Sequence, residues 1–412
     1  MSTPNLFGFL SEEEFANQIG QLNANLRHQN ALLEVMAAEQ LAQVVENFDE
    51  IVELVEDGLA EDILHVGTQI NLEWVDIATN TTYIVPHDVV HYGEVTLDDG
   101  EVCPGSMFLS WHYCTPFGMP FDAPEAFYKA AVQLPAGTYN VSMGFSWGTH
   151  VVSGKTYQFT LTQPVPEGGR LAGFEAAPDT APSNWRVKSY DANFTLIETV
   201  EVSEGSSGTN LGTFTAAGSA PLNSLHAVAF GLNRDRDSAL RQWLNSDAGI
   251  GQWWTPQHDF DMPPAEASQK AGFLTGYAPE IRQHFAKIQV KTATNTVMFD
   301  GSFDTYYDKV FSPAKEQIYN TPQIEGEGEY WEYWKRALGL SSPSQNHPTT
   351  YPAYKIYAIN AKTSAQNVRL RSAGRGNGNT TWYVYSGGGV YYYFYARHAY
   401  RALPSLVIAR KS

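Results

Sequence analysis

Cysteine is nearly absent from this chain, with only Cys103 and Cys114 among 412 residues. They stand eleven apart in strand-and-loop sequence, outside any CxxC pattern. Neither a disulfide framework nor a zinc site of that type organises the fold, and the two thiols either pair or stay reduced. No stretch approaches the roughly 18 uninterrupted apolar residues of a membrane-spanning helix. The opening MSTPNLFGFLSEEE lacks a basic region, so a secretory signal peptide is not expected. GxSxG, P-loop and GxGxxG motifs with suitable flanks are missing too, which removes the commonest nucleophile and phosphate signatures. Acid is absent from one end: Tyr333 to Ser412 holds no Asp or Glu against eleven Lys or Arg, while residues 1–62 hold thirteen acids and one base, Arg27. The net charge of −18 therefore conceals an acidic beginning, read as a stalk, and a basic end, read as a head.

What is present favours short strands and tight turns: aromatic residues make up 13%, with 34 Gly and 22 Pro. Residues 11–57 read as one long helix, opened by a Ser11/Glu14 capping box. Its apolar ladders run Phe15, Ile19, Leu22, Leu26, Leu33, Met36 and then Leu41, Val45, Phe48, Val52, Val55, Leu59, with a phase break between them. An amphipathic helix packed on its own chain would show this pattern. A self-associating coiled coil is the preferred reading, because two such runs have no partner nearby in sequence.

Beyond residue 62 the period changes to two. In GKTYQFTLTQ, Tyr157, Phe159 and Leu161 alternate with Thr156, Gln158 and Thr160, and similar short strands continue to about 215, as in an antiparallel β-sandwich or jelly roll. Residues 216–412 are mixed. Ser238 caps a helix in ALRQWLNSD, Pro279 opens another in PEIRQHFAKIQ, and strands follow at KIYAIN, WYVY and SLVIA, which together give an α+β domain. The expected architecture is α+β and multidomain: helix over 1–62, sandwich over 63–215, ligand-binding domain over 216–412.

Few residues suggest catalysis or metal binding. His87 and His91 stand four apart, but in strand-like sequence, where that spacing does not make a helical metal pair. His258, Asp259 and Asp261 read better as a loop tied by Asp turns and locked by Pro263 and Pro264. Glu325, Glu327, Glu329 and Glu332 form an acidic run of the kind that is usually a solvated face. No catalytic residue, metal or cofactor is assigned.

The tract TWYVYSGGGVYYYFYARHAY, residues 381–400, differs in kind. Five consecutive rings cannot all point into a core. Exposed Tyr beside Ser, Gly and Asn is the composition of binding loops, and Arg375, Arg397 and Arg401 add charge-assisted donors. The competing reading is an aromatic core with a few tyrosines reaching solvent. The candidate ligand-binding residues are Asn377, Asn379, Trp382, Tyr383, Tyr385, Tyr391, Tyr392, Tyr393, Phe394, Tyr395, Arg397, His398 and Tyr400. Strand alternation puts Tyr391, Tyr393 and Tyr395 on one face and Tyr392 and Phe394 on the other. Basic plus aromatic also describes single-strand nucleic-acid binding, but the acidic whole and the lack of an RNA-binding signature argue against that partner.

The order of SALRQWLNSD, WWTPQHDFDMPP, AGFLTGY, DKVFSPAKEQIY, VRLRSAGRG and VYYYFYARHAYRALPSLVI resembles a domain family of gut-bacterial phages and prophages. APEAFYKAAVQLPAGTYNV and GKTYQFTLTQPVPEGG precede it as they do there, so the resemblance spans roughly residues 120–412. That family is similar to the C-type-lectin-like tropism determinants, some of which are variable proteins diversified by retroelements acting on adenines. Asn codons so mutated never give Trp, Lys, Glu, Gln or Met, and between Gly376 and Tyr400 only Trp382 lies outside the reachable set. The same fold hosts formylglycine-generating enzymes, which rely on cysteines that residues 216–412 lack. The resemblance implies a phage receptor-binding protein of a tail or head fibre in the virion, made in the bacterial host cytoplasm. It would attach to a host cell-surface protein or glycan through a variable Tyr-rich face, meet other virion proteins through its N-terminal region, and self-associate, as a homotrimer by preference. Membrane insertion is not expected. The alternatives are an enzyme acting on a cell-surface polysaccharide and a structural virion decoration protein.

Overall fold

A computed structural model of the chain describes residues 48–122, 128–143, 152–173, 186–214, 233–258, 261–294, 303–319, 326–338, 355–374 and 380–411. Among the described residues the fold is mostly β, with 44% strand against 15% helix. The α+β expectation is thereby corrected. The β-branched and aromatic segments that alternate or run apolar pair as strands, whereas the helical patterns yield only short pieces. Ser238 does cap its helix, accepting from the Arg241 amide at 3.0 Å, but that helix is only Ala239–Leu244. Pro279 opens a single turn, Pro279–Arg282, and the chain then extends as Ile288–Ala293.

Among the described residues no N-terminal coiled-coil helix is present. The described helix, Phe48–Glu56, buries Phe48, Ile51, Val52 and Val55 in the core of its own chain. A stripe consumed this way leaves no seam for a partner helix. The rest of the expected helix, and with it the ladder from Phe15 to Met36, lies outside the described residues.

The body is organised by two five-stranded sheets. The first runs Gln69–Asp76, Thr81–Thr96, Val102–Trp111, Ser405–Ile408, Val310–Phe311, antiparallel throughout. The second runs Gly389–Tyr395, Thr380–Tyr385, Val368–Ala373, Ala399–Ala402, Met119–Pro120, with Val368–Ala373 and Ala399–Ala402 parallel. Both contain strands from before residue 122 and after residue 360, so residues 48–121 and 240–409 contribute to one hydrophobic core. Residues 240–409 therefore do not build this core alone. Leu406, Val407 and Ile408 are apolar on both faces and fully buried, which suits an inner strand, and they pair with Met107–Leu109 on one side while Leu406 meets Val310 on the other.

The sandwich is narrower than 63–215. Between residues 128 and 214, one sheet (Leu196–Glu201, Arg186–Tyr190, Arg170–Gly173, Tyr128–Lys129) faces another (Ser203–Glu204, Thr156–Leu161, Gly137–Met143, Thr209–Phe214). They share a second core in which Tyr157, Phe159 and Leu161, the apolar face of the alternating strand, meet Leu171 and Val187. This sandwich is an insertion into the body, entered after Asp122 and left before Asn233.

Much of the aromatic content fills the body's core. Trp74, Trp111, Trp243, Phe273 and Tyr277 pack at ring separations of 5.2–5.7 Å. The Trp111 indole donates to the Tyr277 hydroxyl at 2.7 Å, that hydroxyl lies 2.9 Å from His87 Nε2, and His87 Nδ1 is 2.8 Å from the Val85 carbonyl. His87 is thus a neutral core residue, its pKa pushed down to about 4 by burial. Cys103 and Cys114 are free and buried, and among the described residues no helix is long and apolar enough to cross a membrane.

Because Ser405–Ile408 pairs with Val102–Trp111, Leu406→Ala is expected to loosen the first sheet as a whole. The cost is about 2–5 kcal/mol in urea unfolding, with loss of amide protection along residues 102–111. Protection lost only after residue 400 would contradict the shared core.

Candidate functional site

The second sheet ends in a hairpin that gathers the aromatic tract. Thr380–Tyr385 and Gly389–Tyr395 pair antiparallel with Tyr383 opposite Tyr391 and Tyr385 opposite Gly389. The turn Ser386–Gly388 closes with the Gly388 amide donating to the Tyr385 carbonyl at 2.8 Å, and Gly388 has φ +96°, as three-residue hairpin loops require. The two flanking glycines make room for rings. A Cβ on Gly387 would lie 2.6 Å from the Tyr385 ring, and one on Gly389 2.5 Å from that of Tyr391.

Strand alternation then sorts the tract. Trp382, Val384 and Val390 enter the body's core, where Lys315 Nζ sits 3.9 Å from the Trp382 ring centroid. Trp382 is 6% exposed, so its place among the ligand-binding candidates is corrected: it is framework. On the other face Tyr383 meets Tyr385, Tyr391 and Tyr400 at 6.4, 6.2 and 5.6 Å. Tyr400 stacks on His398 at 6.5 Å and 23°, and His398 lies 5.9 Å from Tyr395. The result is a continuous face of rings across neighbouring strands. Tyr385 and His398 are exposed, Tyr391 and Tyr400 half-buried, Tyr383 buried. Tyr395, at the far end, packs against the core of the inserted sandwich. The side chains of Tyr392, Tyr393 and Phe394, together with Asn377, Asn379 and Arg375, lie outside the described residues.

Beneath this face is a residue that sequence reasoning missed. Arg369 is fully buried, with its guanidinium 4.6 Å from the Tyr400 ring centroid. It donates to Thr381 Oγ1 at 2.5 Å and to the Tyr395 and His398 carbonyls at 3.1 and 3.0 Å. One cation thereby fastens the start of Thr380–Tyr385, the end of Gly389–Tyr395 and the following turn. Burial lowers its pKa to about 9. Arg397 lies 5.5 Å from the Tyr395 ring centroid. The His398 imidazole is held below its usual value by burial and by the positive charges of Arg397 and Arg369. Arg401, by contrast, is spent internally on the Thr115 carbonyl at 2.5 Å and Gln366 at 3.2 Å. The signal for Arg369 was present in VRLRSA, two arginines in a strand otherwise reading as buried.

Three other groups of titratable residues resolve differently. Asp235, Tyr306, Asp308 and Arg241 form a buried cluster: Tyr306 donates to Asp235, and the Arg241 guanidinium is 2.7 Å from Asp308. It fixes residues 235–244 to the hairpin Ile288–Ala293/Phe303–Asp308. Asp261 accepts from the Gln257 and His258 amides at 2.7 and 2.8 Å and serves the loop, while Asp259 lies outside the described residues. The acidic run borders a cleft of about 400 Å³ with Phe108 and Trp331 in its wall. There Glu329 pairs with His91 at 3.0 Å. Glu327 is buried and not a solvated face: its oxygens accept from the Ala293 amide at 2.9 Å and from the Ser372 hydroxyl, and its carbonyl accepts from Arg371 at 2.5 Å. Burial raises the Glu327 carboxyl above its ordinary value, and the residue lines the same cleft as Glu329. Glu325 lies outside the described residues. Among the described residues no group of three or more His, Cys, Asp or Glu is placed to hold a metal ion.

Two measurements check this description. Gly388→Ala, forced into a left-handed backbone, is expected to cost about 1–2 kcal/mol in thermal unfolding, and an unchanged melting temperature would refute the turn. Asp235 is raised to about 7, foremost by burial, so between roughly pH 4 and 7 the folded chain binds a proton that the unfolded chain does not. Its contribution to stability falls as pH rises through that window. Measured against Asp235→Asn, the wild type should lose stability at a slope of at most about 1.4 kcal/mol per pH unit and level off above pH 7; a flat difference would contradict the burial.

Residues 224–409 match a family model described as a domain of unknown function, DUF6273. The match takes in the aromatic hairpin and Ser405–Ile408 but not the strands between residues 69 and 111 that complete the first sheet. No curated protein matches the chain, and neither does any solved structure.

Proposed function

We propose that this chain is a receptor-binding protein of phage or prophage fibre type that attaches to host cell-surface molecules through the aromatic face around Tyr385, Tyr391, His398 and Tyr400. The observation that carries the proposal is a continuous set of rings on one side of a paired hairpin, reaching solvent at Tyr385 and His398 and anchored from beneath by Arg369. Large side chains with few rotatable bonds, held on a rigid sheet, give contact area at little entropic cost. The resemblance to phage and prophage proteins supplies the setting, a virion surface facing bacterial cells. Binding explains the exposed rings; a decoration role would bury them against a neighbouring subunit. An enzyme acting on a surface polysaccharide would have its place in the cleft beside Glu329 and His91, on other residues.

The test is adsorption of the full chain to intact gut-bacterial cells. The combined change of Tyr385, Tyr391 and Tyr400 to Ala should reduce adsorption about tenfold or more, as loss of central aromatic contacts does, with the melting temperature preserved. Should the triple variant unfold, Tyr385→Ala alone, at a ring 43% exposed, is expected to lower adsorption without touching the fold. Adsorption unchanged in both variants would sink the assignment.

A further inference from the structure

From the charge and chemistry of this face we infer that its ligand is an acidic saccharide, whose ring packs against the tyrosines and whose anionic group settles beside Arg397 and His398. The inference rests on reading the aromatic face as the ligand-binding surface and adds the chemical class of what it holds. Two observations support it.

The first is the sign of the field. From Tyr333 to Ser412 the chain has no Asp or Glu, so the hairpin itself brings cations alone to the face; Asp122, whose amide donates to the Ala396 carbonyl at 3.3 Å, lies buried beside it. Arg369 lies under the Tyr400 ring and Arg397 against the Tyr395 ring, and both depress the protonation of His398. An anion bound there would be drawn to these charges across a site shielded by rings, where the attraction is weakened less than in bulk water. The second is the chemistry of the surface. Tyrosine offers an apolar ring with a hydroxyl at its edge, and a pyranose offers C–H faces with hydroxyls at its rim, so one contact uses both properties.

A carboxylate of a uronic-type sugar and a phosphodiester of a phosphorylated glycan present the same charge, and the experiment separates them. The full chain is passed over immobilised bacterial capsular and exopolysaccharides. Each is used in its native acidic form, after reduction of its carboxyl groups to alcohols, and after phosphodiester cleavage with cold aqueous hydrogen fluoride. Retention is expected on acidic members. It should fall about tenfold or more after carboxyl reduction if the anion is a carboxylate, or after fluoride treatment if it is a phosphate. Arg397→Gln should give a similar loss and a shallower dependence on salt, with the melting temperature unchanged. In the same variant the His398 pKa, followed by NMR, should rise; that reports the field independently of any ligand. Equal retention on acidic and neutralised forms that still depends on the tyrosines would overturn the acidic ligand while leaving the binding face standing. Retention indifferent to the tyrosine variants would remove both. Absence of retention on every polysaccharide, with cell adsorption that is Tyr-dependent and abolished by protease treatment of the cells, would make the receptor a protein and overturn the inference.

Discussion

The structure depends on one crossing of the chain. Ala399–Ala402 belongs to the aromatic sheet, parallel to Val368–Ala373 and antiparallel to Met119–Pro120; three residues later Ser405–Ile408 belongs to the other sheet, between Val102–Trp111 and Val310–Phe311. Leu403–Pro404 is therefore the hinge by which two sheets share a core. The crossing is secured at its start, where Ala402 donates to Thr115 Oγ1 at 3.0 Å and its carbonyl accepts the Thr115 amide at 3.0 Å. Pro suits this place, because its fixed φ and missing N–H end one ladder before the next begins. These bonds tie the strand that carries Tyr400 to the body.

The arginines divide the labour beneath that face. Arg369 and Arg371 come from the same strand and are both buried, yet their partners differ. Arg371 donates to Ser312, Gln317 and Glu327 and joins the strand to the cleft wall. Arg369 donates to Thr381, Tyr395 and His398 and joins it to the hairpin. A break in the pairing register between Arg369 and Ala373 accompanies this split, as a bulge would produce by re-aiming successive side chains. A guanidinium is suited to both places because its planar fork meets several carbonyls at once, which an ammonium on a flexible stem does not.

Much of the local structure was legible in the sequence. The period-two burial of Tyr157, Phe159 and Leu161, the Ser238 cap and the loop role of Asp261 all follow from side-chain chemistry acting over a few residues. The long-range pairings were not legible. SLVIA reads as a buried strand, but nothing in it specifies Met107–Ser110 as its neighbour, so a C-terminal domain complete in itself looked reasonable. The ladder through Phe48, Val52 and Val55 was correctly periodic and wrongly partnered: a helix stripe states that something apolar covers it, not which chain supplies it. Arg369 was overlooked because an arginine in isolation reads as surface.

These differences bear on how the face tolerates exchange of its residues. Positions compatible with adenine-directed change include Tyr383, Tyr385, Tyr391, His398 and Tyr400, but the structure separates them. Tyr383 is 5% exposed and touches three other rings, so a small residue there would leave a void and loosen its neighbours. Tyr385 and His398 reach solvent over a turn fixed by glycine geometry and over carbonyls fixed by Arg369, so their side chains can change while the backbone stays where it is. A surface of this kind alters specificity at its rim and keeps its shape at its centre. That is the arrangement the proposed receptor-binding face needs if its ligand changes faster than its fold.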